Sequence, residues 1–420
     1  MHVLVRVAVV MLCLHAPGAR GAEAATLPLG EAERLALARD VSAPARTAQA
    51  EALREQSVAA AQLPDPKLKL GAMSLPTDTF SRSQEAMTQL QIGVVQNFPP
   101  GRTLALRGDR GTAMAAAADA MADAERLRVL RDTRIAWLEV QYQIEAEHIL
   151  VQSRGLFTDL VEVTRAQYAS GRRNQQDVLR AQLELALLGD RLLQVRTRQD
   201  EARAGLGRLI GPAEARRPLT AGRPQLPVPP DYATLAQGLP RHPLIAVEDR
   251  RVTASQLDVG LARQRYKPAW SLDVTYGDSA GTNPDGSDRP DYLSAMVLLD
   301  VPLFADKRQD RLLAASQKEV QAASLTRADR LYELQRMLEA EHARWRLLNE
   351  RRQHYEERLI TEAGQNALAA LRAYETAVTD FSTVMRARIT ELDLRLDALR
   401  VAVDAAQVQA RLLYLAGEGA

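Results

Sequence analysis

The residues of this chain that could do chemistry are few, and their spacing forms no recognisable site. Six histidines and nine methionines are its potential ligands for a transition metal. His2 and His15 lie in an apolar leader, and the other four histidines have no ligand spacing. The sequence also lacks a phosphate-binding glycine loop, a paired-histidine zinc helix and a Gly-x-Ser-x-Gly elbow. We therefore expect no enzyme, no cofactor and no metal site.

The N-terminus predicts a secretory signal peptide over residues 1–24. A positive charge, an apolar run and a series of small residues occur there in the order that such a signal requires. Cleavage after Gly21 or Ala24 would remove the only cysteine, Cys13, and leave a mature chain without thiol chemistry. Acylation of Cys13 is the alternative, although large residues precede it where an acylation site needs small ones.

The composition is typical of a folded protein and argues against a nucleic-acid partner. The chain is 25% charged and 46% hydrophobic, and its net charge is +1. Arginine and glutamate are interleaved along the chain instead of forming blocks of one sign. Because aromatic residues make up only 4% of the chain, closely paired helices suit it better than a thick globular core.

The positions of the prolines predict two very long helical tracts. No proline lies between Gly101 and Gly211, and none follows Pro302. Proline removes a helix hydrogen bond and clashes with the preceding turn, and both tracts are rich in strong helix formers. An unbroken helix from Arg102 to about Ser170 would be roughly 100 Å long. No single globular domain needs such a helix.

The chain contains two copies of one plan. A shift of 206 residues relates Tyr168 to Tyr374 and Gly211 to Gly417. Residues 25–211 form the first predicted repeat and residues 242–420 the second, with a proline-rich linker at 212–241. Each copy is predicted to contain a helix, a β-hairpin, a long helix and a returning helix. The opening helices are expected over about 29–62 and 242–265.

Four short runs predict membrane-length strands with one apolar face. Their apolar residues alternate with polar ones over about ten positions, the length that a tilted strand needs to cross a bilayer. The alternating residues are Leu68, Leu70 and Ala72; Leu90, Ile92 and Val94; Trp270, Leu272, Val274 and Tyr276; and Leu293, Ala295, Val297, Leu299 and Val301. An amphipathic sheet on a soluble core is the alternative interpretation of each strand taken alone.

Four strands cannot close a barrel, and an open sheet edge in lipid would leave backbone groups unpaired. Several chains would therefore share one barrel, with twelve strands from three chains or sixteen from four. Both hairpins begin and end in predicted helices, so all the helices would lie on one side of the membrane. In a secreted bacterial chain that side is the periplasm.

The most specific motif is the turn at the end of the first long helix. It runs from Tyr168 to Gln182 and reads YASGRRNQQDVLRAQ. With the order of elements from Leu29 to Gly417, this turn resembles the TolC-like outer-membrane factor family. The resemblance implies a mostly α fold with a small β part. Long antiparallel helical hairpins would form a trimeric α-barrel tunnel in the periplasm, and four strands per chain would contribute to a shared 12-stranded β-barrel in the bacterial outer membrane.

The resemblance also implies where the functional residues lie. Docking of a periplasmic adaptor (membrane fusion) protein would use the two helical turns, at Gly171, Arg172, Arg173, Ala377 and Val378. The candidates for a constriction of the tunnel are Asp177, Arg180, Asp380, Thr383 and Arg386. The second turn departs from the family pattern, because Ala377 replaces the usual glycine and Thr383 and Arg386 stand where many relatives carry acidic residues. A polar constriction of mixed sign is therefore expected.

These expectations combine into a passive exit duct for a tripartite efflux system. Its partners would be two further copies of the chain, an adaptor, an inner-membrane pump and outer-membrane lipid. The runs Leu63–Leu68 and Ser74–Thr77 resemble the heavy-metal-efflux branch of the family, with drug efflux and type I protein secretion as alternatives. A periplasmic adaptor and a coiled-coil scaffold are the alternatives from other classes.

Overall fold

The computed structural model describes residues 26–172, 174–376 and 378–417. The predicted signal peptide and two of the docking candidates, Arg173 and Ala377, lie outside the described residues.

The first half of the chain runs through helices and one β-hairpin. Its elements are α1 Leu29–Arg39, α2 Ser42–Ala60, β1 Lys67–Met73, β2 Gln89–Phe98, α3 Thr103–Ala169 and α4 Gln175–Ile210. A connecting segment holds a 3-10 turn Glu214–Arg216, α5 Tyr232–Gly238 and a second 3-10 turn Leu239–Arg241. The second half continues with α6 Pro243–Gln264, β3 Ala269–Ser279, β4 Tyr292–Asp300, α7 Gln309–His354, a π turn Tyr355–Leu359, α8 Ile360–Glu375 and α9 Phe381–Ala416.

The long helix predicted from the absence of proline is confirmed, whereas the single opening helix is wrong. Helix α3 is unbroken over 67 residues. The opening segment instead divides into α1 and α2 at Asp40. The Asp40 carboxylate accepts hydrogen bonds from the backbone N–H groups of Ser42 (3.0 Å) and Ala43 (2.9 Å). An aspartate that satisfies these free donors starts a new helix.

The helices form a wall in which α3 is the central member. Near the sheet, α2 and α6 pack against α3, and α7 packs against α6. Further from the sheet, α4 and α9 take the places beside α3, and α8 packs against α9. Small residues permit the close approach: a Cβ atom on Gly111 of α3 would lie 2.5 Å from the Cβ atom of Ser57 in α2.

The buried apolar residues form three clusters spaced along this wall. One lies near the two helical turns, between α3, α4, α8 and α9. The other two lie at mid-height, where α1 and the connecting segment pack on the long helices. A core divided in this way suits a long wall, because each cluster is buried by the helices immediately beside it.

The four strands form one antiparallel sheet in the order β1-β2-β3-β4. Strands β2 and β3 join the two hairpins, from Gln89 opposite Ser279 to Phe98 opposite Trp270. The register confirms the predicted alternation. Leu68, Val94, Val274 and Ala295 lie in one row on the apolar face, and Lys69, Gly93, Thr275 and Ser294 lie in the next row on the polar face.

Contacts at three heights hold the two hairpins together. At the helical end of the sheet, the rings of Phe98 and Trp270 stack with centroids 3.9 Å apart. In the middle, Lys69 Nζ reaches across β2 to Asp273 Oδ2 at 3.1 Å. At the far end, the guanidinium of Arg289 donates to the backbone carbonyl of Glu85 at 2.9 Å.

Two features are absent from the described ranges, a membrane-spanning helix and a cluster of metal ligands. No helix there is both long and apolar enough to span a bilayer. No group of three or more histidine, cysteine, aspartate and glutamate residues in the same ranges is arranged to hold a metal ion.

We expect Gly93→Ala to weaken the joint between the hairpins. A Cβ atom at Gly93 would lie 2.5 Å from Thr275 Oγ1 and 2.8 Å from the backbone oxygen of Val274. Crowding of this kind costs about 1–3 kcal/mol. The thermal unfolding midpoint of the purified variant should fall. Gly71→Ala is the control, because a Cβ atom there meets nothing within 4 Å. Equal midpoints for the two variants would contradict the proposed role of Gly93.

Candidate functional site

The first helical turn is closed by a glycine in the left-handed conformation. Gly171 has φ +70°. Its N–H donates to the carbonyl of Tyr168 at 2.9 Å, and the N–H of Arg172 donates to the carbonyl of Gln167 at 3.0 Å. This pair of bonds is the Schellman motif, in which a glycine ends a helix without the penalty that a Cβ atom would bring. The turn exposes Gly171 and Arg172 to solvent.

The second turn carries a bond equivalent to one in the first. The N–H of Val378 donates to the carbonyl of Ala373 at 2.8 Å, as Arg172 does to Gln167 in the first repeat. The two turns nevertheless present different chemistry at this position. The first presents an arginine, whereas the second presents the apolar side chain of Val378, which is 80% exposed.

Helix α9 begins with a strong N-cap that α4 lacks. Asp380 Oδ1 accepts from the backbone N–H of Thr383 and from the hydroxyls of Ser382 and Thr383, each at 2.8 Å. These hydrogen bonds, assisted by the charge of Arg386, lower the pKa of Asp380 to about 2. Asn174 holds the equivalent place before α4, and its side chain makes no capping bond. Asp177 lies in the first turn of α4, where its charge suits the helix N-terminus.

Aromatic packing supports the second turn from below. Tyr374 and Phe381 are fully buried, and their rings meet edge to face with centroids 5.6 Å apart. They belong to the cluster that also includes Leu160 and Val161 of α3. Tyr168, the equivalent of Tyr374, is 48% exposed in the single chain. The two turns therefore share a backbone plan but differ in their side-chain support.

Helix α1 and the connecting segment 212–241 pack on one face of the wall, and we call these two elements the belt. Trp137 Nε1 of α3 donates to the carbonyl of Leu27 at 3.2 Å. Gln141 Nε2 donates to the carbonyl of Gly222 at 2.6 Å. We call the face that carries the belt the outer face, because elements of this size inside a tunnel would block it. The opposite face is the inner face.

A charged network marks the inner face at mid-height. Glu139 is two positions beyond Trp137 and therefore points about 200° away from it. Glu139 Oε2 forms a salt bridge of 2.9 Å with Arg400 of α9, and Arg400 Nε also donates to Asp404 at 2.8 Å. Burial opposes ionisation of Glu139, but hydrogen bonds from Arg400 and Gln143 outweigh it and hold the pKa of Glu139 below its ordinary value.

A row of polar residues on one side of α9 continues the inner face from this network to the second helical turn. Arg386, Asp393, Arg400 and Gln407 follow one another at intervals of seven residues, which places them on one side of the helix. Asp393 pairs with Arg191 of α4 at 2.9 Å. A groove of about 250 Å³ lies beside this pair, and Phe157, Leu187, Ile389 and Leu392 contribute to its lining. Helices α4 and α9 therefore face each other across α3.

The structure brings Arg180 and Arg386 to equivalent places on the inner face. Arg180 precedes Arg191 by eleven residues, which is about three helical turns and returns it to the same side of α4. Arg386 lies one interval of seven before Asp393. Both arginines are exposed. Neither forms a salt bridge with a residue in the described part of the chain, although Arg386 acts on Asp380 through its charge.

Sequence reasoning missed the charged pairs deeper in the wall. Arg191, Asp393, Glu139 and Arg400 were not among the candidate residues, yet they define the inner face. The spacing of seven between charged residues in α9 is the pattern that would have indicated them.

A wall of helical hairpins that continues into an amphipathic four-stranded sheet is also found in solved structures of outer-membrane channels. Neither the protein-family models nor the curated proteins contain a match to this chain. Solved structures do match. The outer membrane protein VceC from Vibrio cholerae is 20% identical with a TM-score of 0.77, over 93% of this chain and 96% of VceC.

Two further channels share the fold at lower identity. The CmeC outer membrane channel of Campylobacter jejuni is 13% identical with a TM-score of 0.75, over 93% of this chain and 85% of CmeC. The open state of the MtrE outer membrane channel of Neisseria gonorrhoeae is 15% identical with a TM-score of 0.74, over 93% of this chain and 89% of MtrE. The expected fold of the single chain, long antiparallel helical hairpins with a small four-stranded sheet, is confirmed.

We expect Asp380→Asn to remove a pH dependence at the second turn. The pKa of Asp380 is lowered in the folded chain from an ordinary value of 3.8 to about 2, so its contribution is present above pH 3.8 and lost as the pH falls through 2. Asparagine can still cap the helix but has no charge to titrate. Thermal unfolding midpoints measured between pH 2 and pH 5 should therefore fall less steeply with acid in the variant.

Asn174→Ala is the matched control for this measurement. Because Asn174 makes no side-chain capping bond, its replacement should leave the midpoint nearly unchanged. An Asp380→Asn profile that parallels the wild-type profile would contradict the assignment.

Proposed function

We propose that this protein is the outer-membrane exit duct of a tripartite efflux system, assembled from three copies and located with its helical tunnel in the periplasm. The observation that supports this proposal best is the four-stranded sheet with one exposed apolar face, joined directly to a long helical wall. The structural neighbours are outer-membrane channels, which supports a transport role without a catalytic step.

The exposure of the sheet supports a lipid-facing role. Leu70 is 70% exposed and Leu293 is 76% exposed, and both lie on the apolar face. Such side chains are stable in contact with hydrocarbon but costly in water. The opposite face carries polar groups such as Lys69, Asp273 and Thr275, which suit a water-filled interior.

The two edges of the sheet support assembly from several copies. In the described part of the chain, strand β1 pairs with β2 alone and β4 with β3 alone, so each has one edge without a partner there. Unpaired backbone groups are not stable in lipid, and closure needs at least about eight strands. Three copies supply a barrel of twelve strands. The threefold rotation that relates these copies would also bring their helical walls together. The edge formed by α2 and α4 in one copy would meet the edge formed by α7 and α8 in the next copy.

An adaptor and an inner-membrane pump complete the proposed system. The exposed turn residues Gly171, Arg172 and Val378, with Arg173 and Ala377 beside them in sequence, are our proposed docking surface for the adaptor. The duct itself would be passive, and the pump would supply the energy. A periplasmic adaptor is a poorer interpretation, because it would need one helical hairpin between small β domains. A coiled-coil scaffold leaves the amphipathic sheet without a role.

The class of solute that the duct transports is a more specific proposal than the duct itself. Leu63–Leu68 and Ser74–Thr77 favour metal efflux, with drugs and secreted proteins as alternatives. Deletion of the gene, followed by tests of sensitivity to copper, zinc, cadmium and drugs, distinguishes these classes by which compound becomes more toxic.

We expect the mature protein to fractionate with the outer membrane and to conduct ions in planar lipid bilayers. The apolar face of the sheet should hold it in the membrane, and the polar face should admit water. Chemical crosslinking in detergent should give a trimer. Recovery of a soluble monomer without conductance would contradict the proposal.

We expect Gly171→Trp to reduce crosslinking to the adaptor. A side chain at φ +70° is strained, and its bulk would occupy the proposed contact surface. Gly205→Trp is the control, since Gly205 is exposed on α4 far from the turn and a Cβ atom there meets nothing within 4 Å. Undiminished crosslinking of the Gly171 variant, in protein that still reaches the membrane, would remove this turn from the docking surface.

A further inference from the structure

We propose that Arg180 and Arg386 form a ring of positive charge at the periplasmic mouth of the tunnel, and that this ring favours anionic solutes. The inference rests on the proposed function, because it requires several copies around one lumen. It adds the charge class of the solute, which the fold alone does not define.

The repeat places the two arginines at one height. The shift of 206 residues that relates the two turns also relates Arg180 to Arg386. Both residues lie in the second turn of a helix that starts at the mouth, α4 for Arg180 and α9 for Arg386. Both lie on the inner face, in line with the Arg191–Asp393 pair. Three copies would therefore present six arginines around one level of the lumen.

These arginines differ from the inner-face arginines deeper in the wall. Arg191 is neutralised by Asp393, and Arg400 by Glu139 and Asp404. In the described ranges, Arg180 and Arg386 have no salt bridge of this kind, and both are exposed. Their charge is therefore available to a passing solute, whereas the charges of Arg191 and Arg400 are largely neutralised by salt bridges within the wall.

The acidic groups nearby are held in ways that weaken their effect on a solute. Asp380 is exposed, but its Oδ1 accepts the hydrogen bonds that cap α9, and Asp177 is half-buried in the first turn of α4. Both carboxylates lie at helix N-termini, whose partial positive charge offsets them. Glu184, also half-buried, lines the groove beside Arg191. Arg388 and Arg395 together enclose the buried Glu391, so that cluster adds no exposed negative charge.

The chemistry of arginine indicates which solutes the ring would favour. Its guanidinium stays charged at every physiological pH and matches the geometry of carboxylate and phosphate groups. A passive duct can select only by width and lining charge. We therefore assign anionic solutes to this mouth, with carboxylate, phosphate or similar oxyanion groups. A metal cargo would pass as an anionic complex in preference to a free divalent cation.

Reversal potentials in planar bilayers with a potassium chloride gradient test the ring. The wild-type channel should prefer chloride to potassium. Arg180→Glu with Arg386→Glu should reverse the sign of the reversal potential, and Arg180→Gln with Arg386→Gln should bring it close to zero. Arg208→Glu is the control, because Arg208 lies beside Arg39 and Asp40 at the belt and its exposed charge faces away from the lumen. This variant should retain the wild-type preference.

The outcomes separate this inference from the proposed function. A wild-type channel that prefers potassium, or a glutamate variant that keeps the chloride preference, would overturn the ring while leaving the duct intact. If the double glutamate variant does not assemble, the double glutamine variant provides the test. A reversal potential of the glutamine variant that equals the wild-type value would also overturn the ring. A protein that forms no channel at all would instead contradict the proposed function.

Discussion

The pairing of backbone groups at the edges of the sheet is the constraint on which the proposed assembly depends. Strands β1 and β4 each keep one edge without a partner among the residues that the structure describes. In water, solvent could satisfy these groups, but in hydrocarbon only another strand can do so. The exposed apolar face argues that the sheet lies in hydrocarbon. In the proposed assembly, insertion into the membrane and the sharing of one barrel by several copies both follow from this requirement.

The helices extend the same arrangement away from the sheet. Each hairpin begins and ends in helices, so the order of strands across the sheet sets the order of helices across the wall. Helix α3 keeps its place throughout, while α2 and α6 give way to α4 and α9. The two halves of the chain thereby contribute similar hairpins side by side, and a wall of nearly uniform thickness results. Closely packed alanines and glycines make this possible with few aromatic residues.

The repeat also carries differences that matter for function. The first turn ends on exposed arginine, and the second ends on exposed valine. The first helix after a turn begins at Asn174 without a capping bond, whereas the second begins at the strongly bound Asp380. The backbone plan is therefore shared, while the side-chain chemistry of the two turns differs. A partner that docks on these turns would meet two kinds of site.

Local sequence patterns were sufficient to predict the four strands, the long helix α3 and the order of the main elements. Alternation with a period of two identified all four strands, and the absence of proline identified α3, because both signals depend only on neighbouring residues. The same local reasoning failed at Asp40, where one side chain ends the expected first helix by capping the next. The turn residues were also accessible to sequence, since Gly171 and Asp177 belong to a specific motif.

Packing between separate hairpins determines which face of each helix lies opposite the belt and which charges there form salt bridges. Arg191 meets Asp393, and Glu139 meets Arg400, across more than 200 positions of sequence. No local pattern specifies such pairs, because they depend on how two separate hairpins pack against α3. Arg180 and Arg386 were predicted from the sequence as members of a constriction of mixed sign, but the folded wall determines that neither forms a salt bridge within the described ranges.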